Sequence, residues 1–102
     1  MLHSMQTYDF RHNERMKHAD AEAITRIVMQ ILKERRESKG LSYRKLAKKS
    51  GISNRYLSMI ENGEYNPTLL QLLRIAGALG LKLGPVVSRA QREWKAQKKQ
   101  AL

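Results

Sequence analysis

The sequence contains no cysteine and no long apolar run. The absence of cysteine among its 102 residues excludes disulfide frameworks, thiolate nucleophiles and cysteine-based zinc sites. No stretch approaches the roughly 18 consecutive apolar residues of a membrane span, and residues 1–20 lack the apolar run of a signal peptide. We therefore expect a soluble, cytoplasmic protein.

Patterns typical of catalysis are also absent. The sequence has no Gly-rich phosphate loop, no H-E-x-x-H motif and no Ser-His-Asp arrangement. His3, His12 and His18 lie with Asp9 and Glu14 near the N-terminus, in a segment without periodicity, so no ordered metal site is expected there. A single domain of this length buries one core but leaves little room for a water-excluding cleft. We expect neither an enzyme nor a bound cofactor or metal.

Acidic residues are scarce, and the excess of basic over acidic residues differs between the two parts of the chain. The chain has 20 Lys and Arg against 9 Asp and Glu, a formal net charge of +11. Residues 1–40 carry 8 basic and 6 acidic side chains, whereas residues 41–102 carry 12 basic and 3 acidic. A surface for an anionic partner is therefore expected in the second part. Composition alone leaves nucleic acid, an anionic membrane surface and an acidic protein open.

Apolar residues recur with helical periodicity, and no useful length alternates with the period of a strand. The sequence predicts an all-α domain in which Asp20 caps a long first helix that ends near Ser38. In the last helix, Pro85 is expected at the first helical position, and fraying is expected beyond Trp94, which packs in the core or in a dimer interface. The predicted segments are a flexible N-terminal arm (1–18), a domain (19–88) and a basic helical tail (89–102), with the middle helices at 43–49, 54–61 and 69–78.

Short polar signals mark the starts of the middle helices. Ser42 and Ser53 are placed to cap the second and third helices, and Thr68 with Gln71 forms a capping box before the fourth. The second and third helices have about two turns each, and a short connection containing Gly51 joins them. Apolar residues of both helices point to a shared core, which predicts a helix-turn-helix. These core residues are Leu46, Ile52, Leu57 and Ile60.

The outer face of the third predicted helix carries side chains suited to reading DNA bases. In a helix-turn-helix, the N-terminal part of the second helix of the motif meets the major groove. Arginine pairs with guanine, asparagine pairs with adenine, and an apolar side chain can pack on a thymine methyl group. The candidate base contacts are Asn54, Arg55, Ser58 and Met59.

Six short motifs, in order and at consistent spacing, resemble the lambda repressor and Cro family of helix-turn-helix proteins, also called the XRE family. The motifs are G-L-S (40–42), L-A (46–47), G-I-S (51–53), I-E-N-G (60–63), N-P-T (66–68) and A-L-G (78–80). The resemblance covers about residues 27–87. It implies a compact five-helix, lambda-repressor-like DNA-binding domain that binds double-stranded operator DNA, generally as a homodimer, with its third helix in the major groove.

The resemblance also implies roles for individual residues. Arg36 and Glu61 match a family pair that forms an internal salt bridge, so we assign them to structure rather than to DNA contact. The remaining matches are expected DNA contacts: Asn54, Arg55 and Met59 to bases, and Tyr43 and Asn62 to the phosphate backbone.

The start of the second helix departs from the family pattern. Tyr43, Arg44 and Lys45 follow the cap, where the family usually has glutamine and acidic residues. Cations in a first turn oppose the helix dipole, at a cost of about 0.3–1 kcal/mol each. A bound phosphate would reverse that penalty. We therefore expect phosphate contacts from this helix start, made by Ser42, Tyr43, Arg44 and Lys45.

These features predict a sequence-specific DNA-binding transcriptional regulator that represses from a palindromic operator. One alternative is an antitoxin that represses its own operon and wraps a toxin with residues 1–18 or the last helix. Another is a coactivator module that binds an acidic protein and no DNA. A membrane-surface role is disfavoured, because the apolar faces of the first four helices are needed for the core.

Overall fold

Five α-helices make up the described part of the chain. The computed structural model describes residues 16–100, and it contains no strand within that range. The predicted all-α fold of five helices is confirmed. Most of the N-terminal arm predicted at 1–18 lies outside the described residues. The helices are α1 (His18–Ser38), α2 (Tyr43–Ser50), α3 (Asn54–Glu61), α4 (Leu69–Ala78) and α5 (Leu83–Gln100).

The first helix begins before its predicted cap. Lys17 occupies the N-cap position without a side-chain hydrogen bond, and Asp20 lies in the first turn. The prediction that Asp20 caps α1 is therefore wrong. A carboxylate in the first turn still interacts favourably with the helix dipole. Asp20 Oδ2 also accepts a hydrogen bond from Lys98 Nζ of α5 at 3.4 Å, which favours its place inside the helix.

The last helix extends further than predicted at both ends. Pro85 is its third residue rather than its first, and the helix continues beyond Trp94 to Gln100. Proline is accepted in a first turn because the N–H groups there have no intrahelical acceptor. The helix packs along α1, and beyond Trp94 this packing includes the hydrogen bond from Lys98 to Asp20. The predicted boundary before residues 89–102 therefore falls inside α5.

The predicted caps of the middle helices are present. Ser42 and Ser53 each accept a hydrogen bond from the backbone N–H three residues later, at 3.2 and 3.1 Å. Thr68 and Gln71 form the expected capping box, with Thr68 Oγ1 accepting from the Gln71 N–H at 3.1 Å and Gln71 Oε1 accepting from the Thr68 N–H at 2.9 Å. The starts of α2, α3 and α4 are thus fixed by local side chains.

One core joins the five helices. The four apolar residues predicted to hold the helix-turn-helix together are all buried. Side chains from α5, among them Val86 and Ala90, close the core against α1. Because α3 packs on both α1 and α2, its position is set by the whole domain. The largest fully buried side chains are Leu32, Leu46, Leu57, Ile60, Ile75 and Leu79.

Gly51 makes the turn between α2 and α3 possible. Its φ is +75°, a left-handed conformation that costs a residue with a side chain about 1–2 kcal/mol. An added Cβ would lie 3.7 Å from the Arg74 guanidinium, an ordinary contact, so the backbone conformation sets the cost. We expect Gly51→Ala to lower the free energy of unfolding by about 1–2 kcal/mol, measured by urea denaturation.

Gly77→Ala is the matched control for this substitution. Gly77 lies inside α4, its φ is outside the left-handed region, and an added Cβ would meet no atom within 4 Å. Alanine is better than glycine in a helix by up to about 1 kcal/mol, so this variant should be at least as stable as the wild type. If both variants lost the same stability, the left-handed turn at Gly51 would not be the cause.

Candidate nucleic-acid interface

A buried serine helps to fix the turn between α2 and α3. Ser50 is 6% exposed, and its Oγ accepts a hydrogen bond from the Ile52 N–H at 3.2 Å. This bond satisfies a backbone donor in the turn. Ser50 is not among the residues with a predicted role. The two helices are therefore held at a defined angle by more than the glycine.

The surface of α3 carries all four candidate base contacts. Asn54 and Arg55 are exposed, and Ser58 and Met59 are half-buried. The apolar residues of the same helix reach the core on its other side. The structure thus brings the four side chains together at the surface of one short helix whose backbone is anchored from behind.

A shallow depression lies beside this surface, lined by Ser53, Arg55, Tyr56 and Met59. Tyr56 is exposed, and its ring packs against that of Tyr65 at a centroid distance of 5.3 Å and an angle of 42°. Tyr56 is not among the predicted contacts, although an aromatic residue outside the apolar stripe of the third helix is a usable signal. Its hydroxyl adds a hydrogen-bonding group of the kind that contacts DNA phosphates.

The start of α2 carries cations and no acidic residue in its first turn. Ser42, Arg44 and Lys45 are exposed. The Ser42 Oγ already accepts the capping hydrogen bond, which leaves its hydroxyl proton available to donate. At the end of α3, Asn62 is exposed and donates from Nδ2 to Ser58 Oγ at 3.4 Å. An anion at the first turn of α2 would meet backbone N–H groups and two cationic side chains.

A hydrogen-bonded cluster ties α1, α2 and α3 together. Arg36 donates from Nε and Nη2 to the Glu61 carboxylate at 2.8 and 3.1 Å, and from Nη1 to the Leu41 carbonyl oxygen at 2.8 Å. The Tyr43 hydroxyl donates to Glu61 Oε1 at 3.0 Å, and the Arg36 guanidinium lies 4.4 Å from the Tyr43 ring centroid. The side chains of Arg36 and Glu61 are only 11% and 3% exposed. The expected salt bridge is present, and it is bidentate.

This cluster keeps two of its members protonated. The hydrogen bond to Glu61 raises the pKa of Arg36 against the opposing effect of burial. Burial raises the pKa of Tyr43, and the hydrogen bond to Glu61 raises it further. The single Tyr43 hydroxyl proton is therefore used inside the protein. The phosphate contact expected of Tyr43 stays a prediction, and it would require this hydrogen bond to open.

A sequence profile of the Helix-turn-helix family matches residues 32–86, more than half of the chain. The chain belongs to the lambda repressor-like helix-turn-helix family. This is a family of DNA-binding transcription regulators and not a family of enzymes. The family membership that the six sequence motifs predict is confirmed. The match contains α2, α3 and α4 entirely, with the adjoining parts of α1 and α5.

Individual relatives support the same family. The immunity repressor protein of Bacillus phage phi105 is 40% identical over 60 residues, which make up 59% of this chain and 42% of that protein. The transcriptional regulator SutR of Escherichia coli K12 is 33% identical over 70 residues, 69% of this chain and 39% of that one. The chain thus spans about two fifths of the length of these two relatives.

A solved structure shares the fold. The crystal structure of the clp gene regulator ClgR from Corynebacterium glutamicum matches with a TM-score of 0.65 and 28% sequence identity. The match covers 76% of this chain and 83% of that chain. The shared fold therefore extends over about three quarters of this chain.

Residues 16–100 contain no group of three or more His, Cys, Asp or Glu side chains that could hold a metal ion. The other four residues weighed above as metal ligands lie outside the described part: His3, Asp9, His12 and Glu14. In the same described range, no single helix is long and apolar enough to cross a membrane. Helices α4 and α5 reach the length and apolar composition of a membrane span only when taken together, and they are bent by 109° relative to each other.

Proposed function

We propose that this chain is a sequence-specific transcriptional repressor that binds a palindromic operator as a homodimer, with α3 in the major groove. The observation that carries the proposal is the surface of α3, where polar and cationic side chains face outward from a helix anchored in the core. Such a helix can present side chains to base edges without losing its own position.

Base reading is assigned to the outward side chains of α3. Arg55 is the single cation of this helix and lies in its first turn, exposed, where it can reach guanine O6 and N7 with two hydrogen bonds. Asn54 is suited to adenine N6 and N7, and Ser58 can pair with several bases. Met59 offers an apolar contact to a thymine methyl group. Specificity therefore depends on few residues.

Affinity is assigned to the start of α2 and the end of α3. Arg44 and Lys45 bring positive charge to a helix N-terminus, and the Ser42 hydroxyl can donate to the same phosphate. The main chain at Asn62 is a further phosphate contact implied by the family position. These contacts carry no sequence information, so they act on operator and random DNA alike.

Selection from a pool of random duplexes tests the proposal. We expect the full chain to enrich an inverted repeat whose half-sites lie about one helical turn apart. Enrichment of a single asymmetric site would contradict binding as a homodimer but would still support sequence-specific DNA binding. No enrichment at all, with capture of an acidic protein instead, would favour the coactivator module over DNA binding.

An antitoxin is the second candidate, and it is favoured by one feature. Helix α5 continues well beyond the residue where the family match ends, and its last turn is basic. The end of α5 beyond that residue could hold a toxin while the domain binds DNA. Co-purification of a small toxic protein encoded beside this chain would support the antitoxin. If this chain were co-expressed with the neighbouring protein and still purified alone, the result would favour a repressor without a toxin partner.

A further inference from the structure

Helix α4 carries an apolar face that the folded domain does not use. Leu69, Leu70 and Leu73 are 66%, 64% and 52% exposed, although the opposite side of the same helix reaches the core. At 3.6 residues per turn, the three side chains fall within an arc of about 100°. Leucines this exposed and this close together form a patch, which is typical of an interaction site. We call these three residues the leucine patch.

Gly77 lies on the same arc as the leucine patch. A Cβ built on Gly77 would point into open space, and its φ is outside the left-handed region. Glycine inside a helix costs about 0.5–1 kcal/mol relative to alanine, and nothing within the domain requires it at this position. A partner helix that packs on the patch could approach the backbone closely at Gly77.

The lack of charge in the stretch that carries the leucine patch favours a second copy of this chain as its partner. Residues 65–73 contain no Asp, Glu, Lys or Arg, and no longer stretch without these residues occurs in the sequence. Nucleic acids, acidic proteins and anionic membranes are recognised through cations, which this stretch lacks. A second copy of a chain with net charge +11 is repelled over most of the surface. The second copy meets the least electrostatic repulsion at this stretch, because it carries no charged side chain.

We propose that the leucine patch is the surface through which two copies of this chain associate. Three leucines are far fewer than the roughly 20–30 residues per partner of a standard interface. The association is therefore weak in solution and becomes effective when two half-sites on one duplex hold the copies at high local concentration. The part of this inference that concerns DNA rests on the proposed function, whereas self-association in solution does not.

The double variant Leu70→Gln/Leu73→Gln tests the inference without changing the charge. Both side chains are exposed, so circular dichroism and the Tm should stay as in the wild type. Sedimentation equilibrium at increasing protein concentration should show reversible dimers for the wild type and association at least about tenfold weaker for the variant. Met16→Gln is the matched control, because Met16 is also exposed, at 60%, but lies outside the patch, and it should associate as the wild type does.

Binding to duplexes with one and with two selected half-sites gives the second measurement. The double variant should bind one half-site as the wild type does but lose the extra affinity for two. A wild type that stays monomeric at all concentrations, or a double variant that associates and binds as the wild type, overturns the inference. If no duplex is bound specifically, the proposed function fails, while sedimentation still decides whether the patch joins two copies.

Discussion

Arg36→Met is expected to lower the free energy of unfolding by about 3–5 kcal/mol, the cost of removing one partner from a buried ion pair. The Glu61 side chain is only 3% exposed, so removing Arg36 would leave a buried carboxylate without a cation. Without Arg36 it would keep the Tyr43 hydroxyl as a donor but lose its counter-charge. Chemical denaturation monitored by circular dichroism measures the loss.

Arg89→Met is the matched control for that variant. Arg89 also forms a salt bridge, with Glu93 at 2.7 Å, but these side chains are 53% and 40% exposed. Exposed pairs contribute about 0–1 kcal/mol, so this variant should lose little stability. Comparable losses for Arg36→Met and Arg89→Met would show that burial does not set the strength of the Arg36 salt bridge.

Arg55→Ala is expected to reduce the preference for the selected site over random DNA by about 1–3 kcal/mol. The loss should fall on one base position, because one side chain reads one base pair. Competition binding with single-base variants of the site measures it. A loss of affinity that is equal for operator and random DNA would remove the base-reading role of Arg55.

Lys45→Ala is the companion variant, and it separates charge from base reading. A phosphate contact acts on all sequences, so binding to operator and random DNA should weaken by a similar factor. The dependence of log affinity on log salt should also become shallower by about one unit, since one phosphate fewer is neutralised. An unchanged salt slope would exclude Lys45 as a phosphate contact.

Local sequence determined most of the fold and indicated the candidate interface. Ser42, Ser53 and the Thr68–Gln71 capping box fix helix starts through bonds to N–H groups three residues along the chain, and such bonds depend only on local spacing. Gly51 marks the turn for a similar reason, because glycine accepts the left-handed backbone conformation found there without a steric penalty. The six family motifs include all of these positions except Gln71, so the family could be recognised without coordinates.

Only the tertiary structure decided which side chains are already committed to internal contacts. The Tyr43 hydroxyl donates to Glu61 across 18 positions of sequence, a partnership that local spacing does not predict. The Ser50–Ile52 bond is local, but the burial of Ser50 depends on how the helices pack. The end of α5 likewise lies against α1, where Lys98 donates to Asp20, 78 positions away in the sequence. The leucine patch is exposed because no other described helix packs over it. Sequence specified the local bonds, while burial and long-range pairing depend on how the five helices pack.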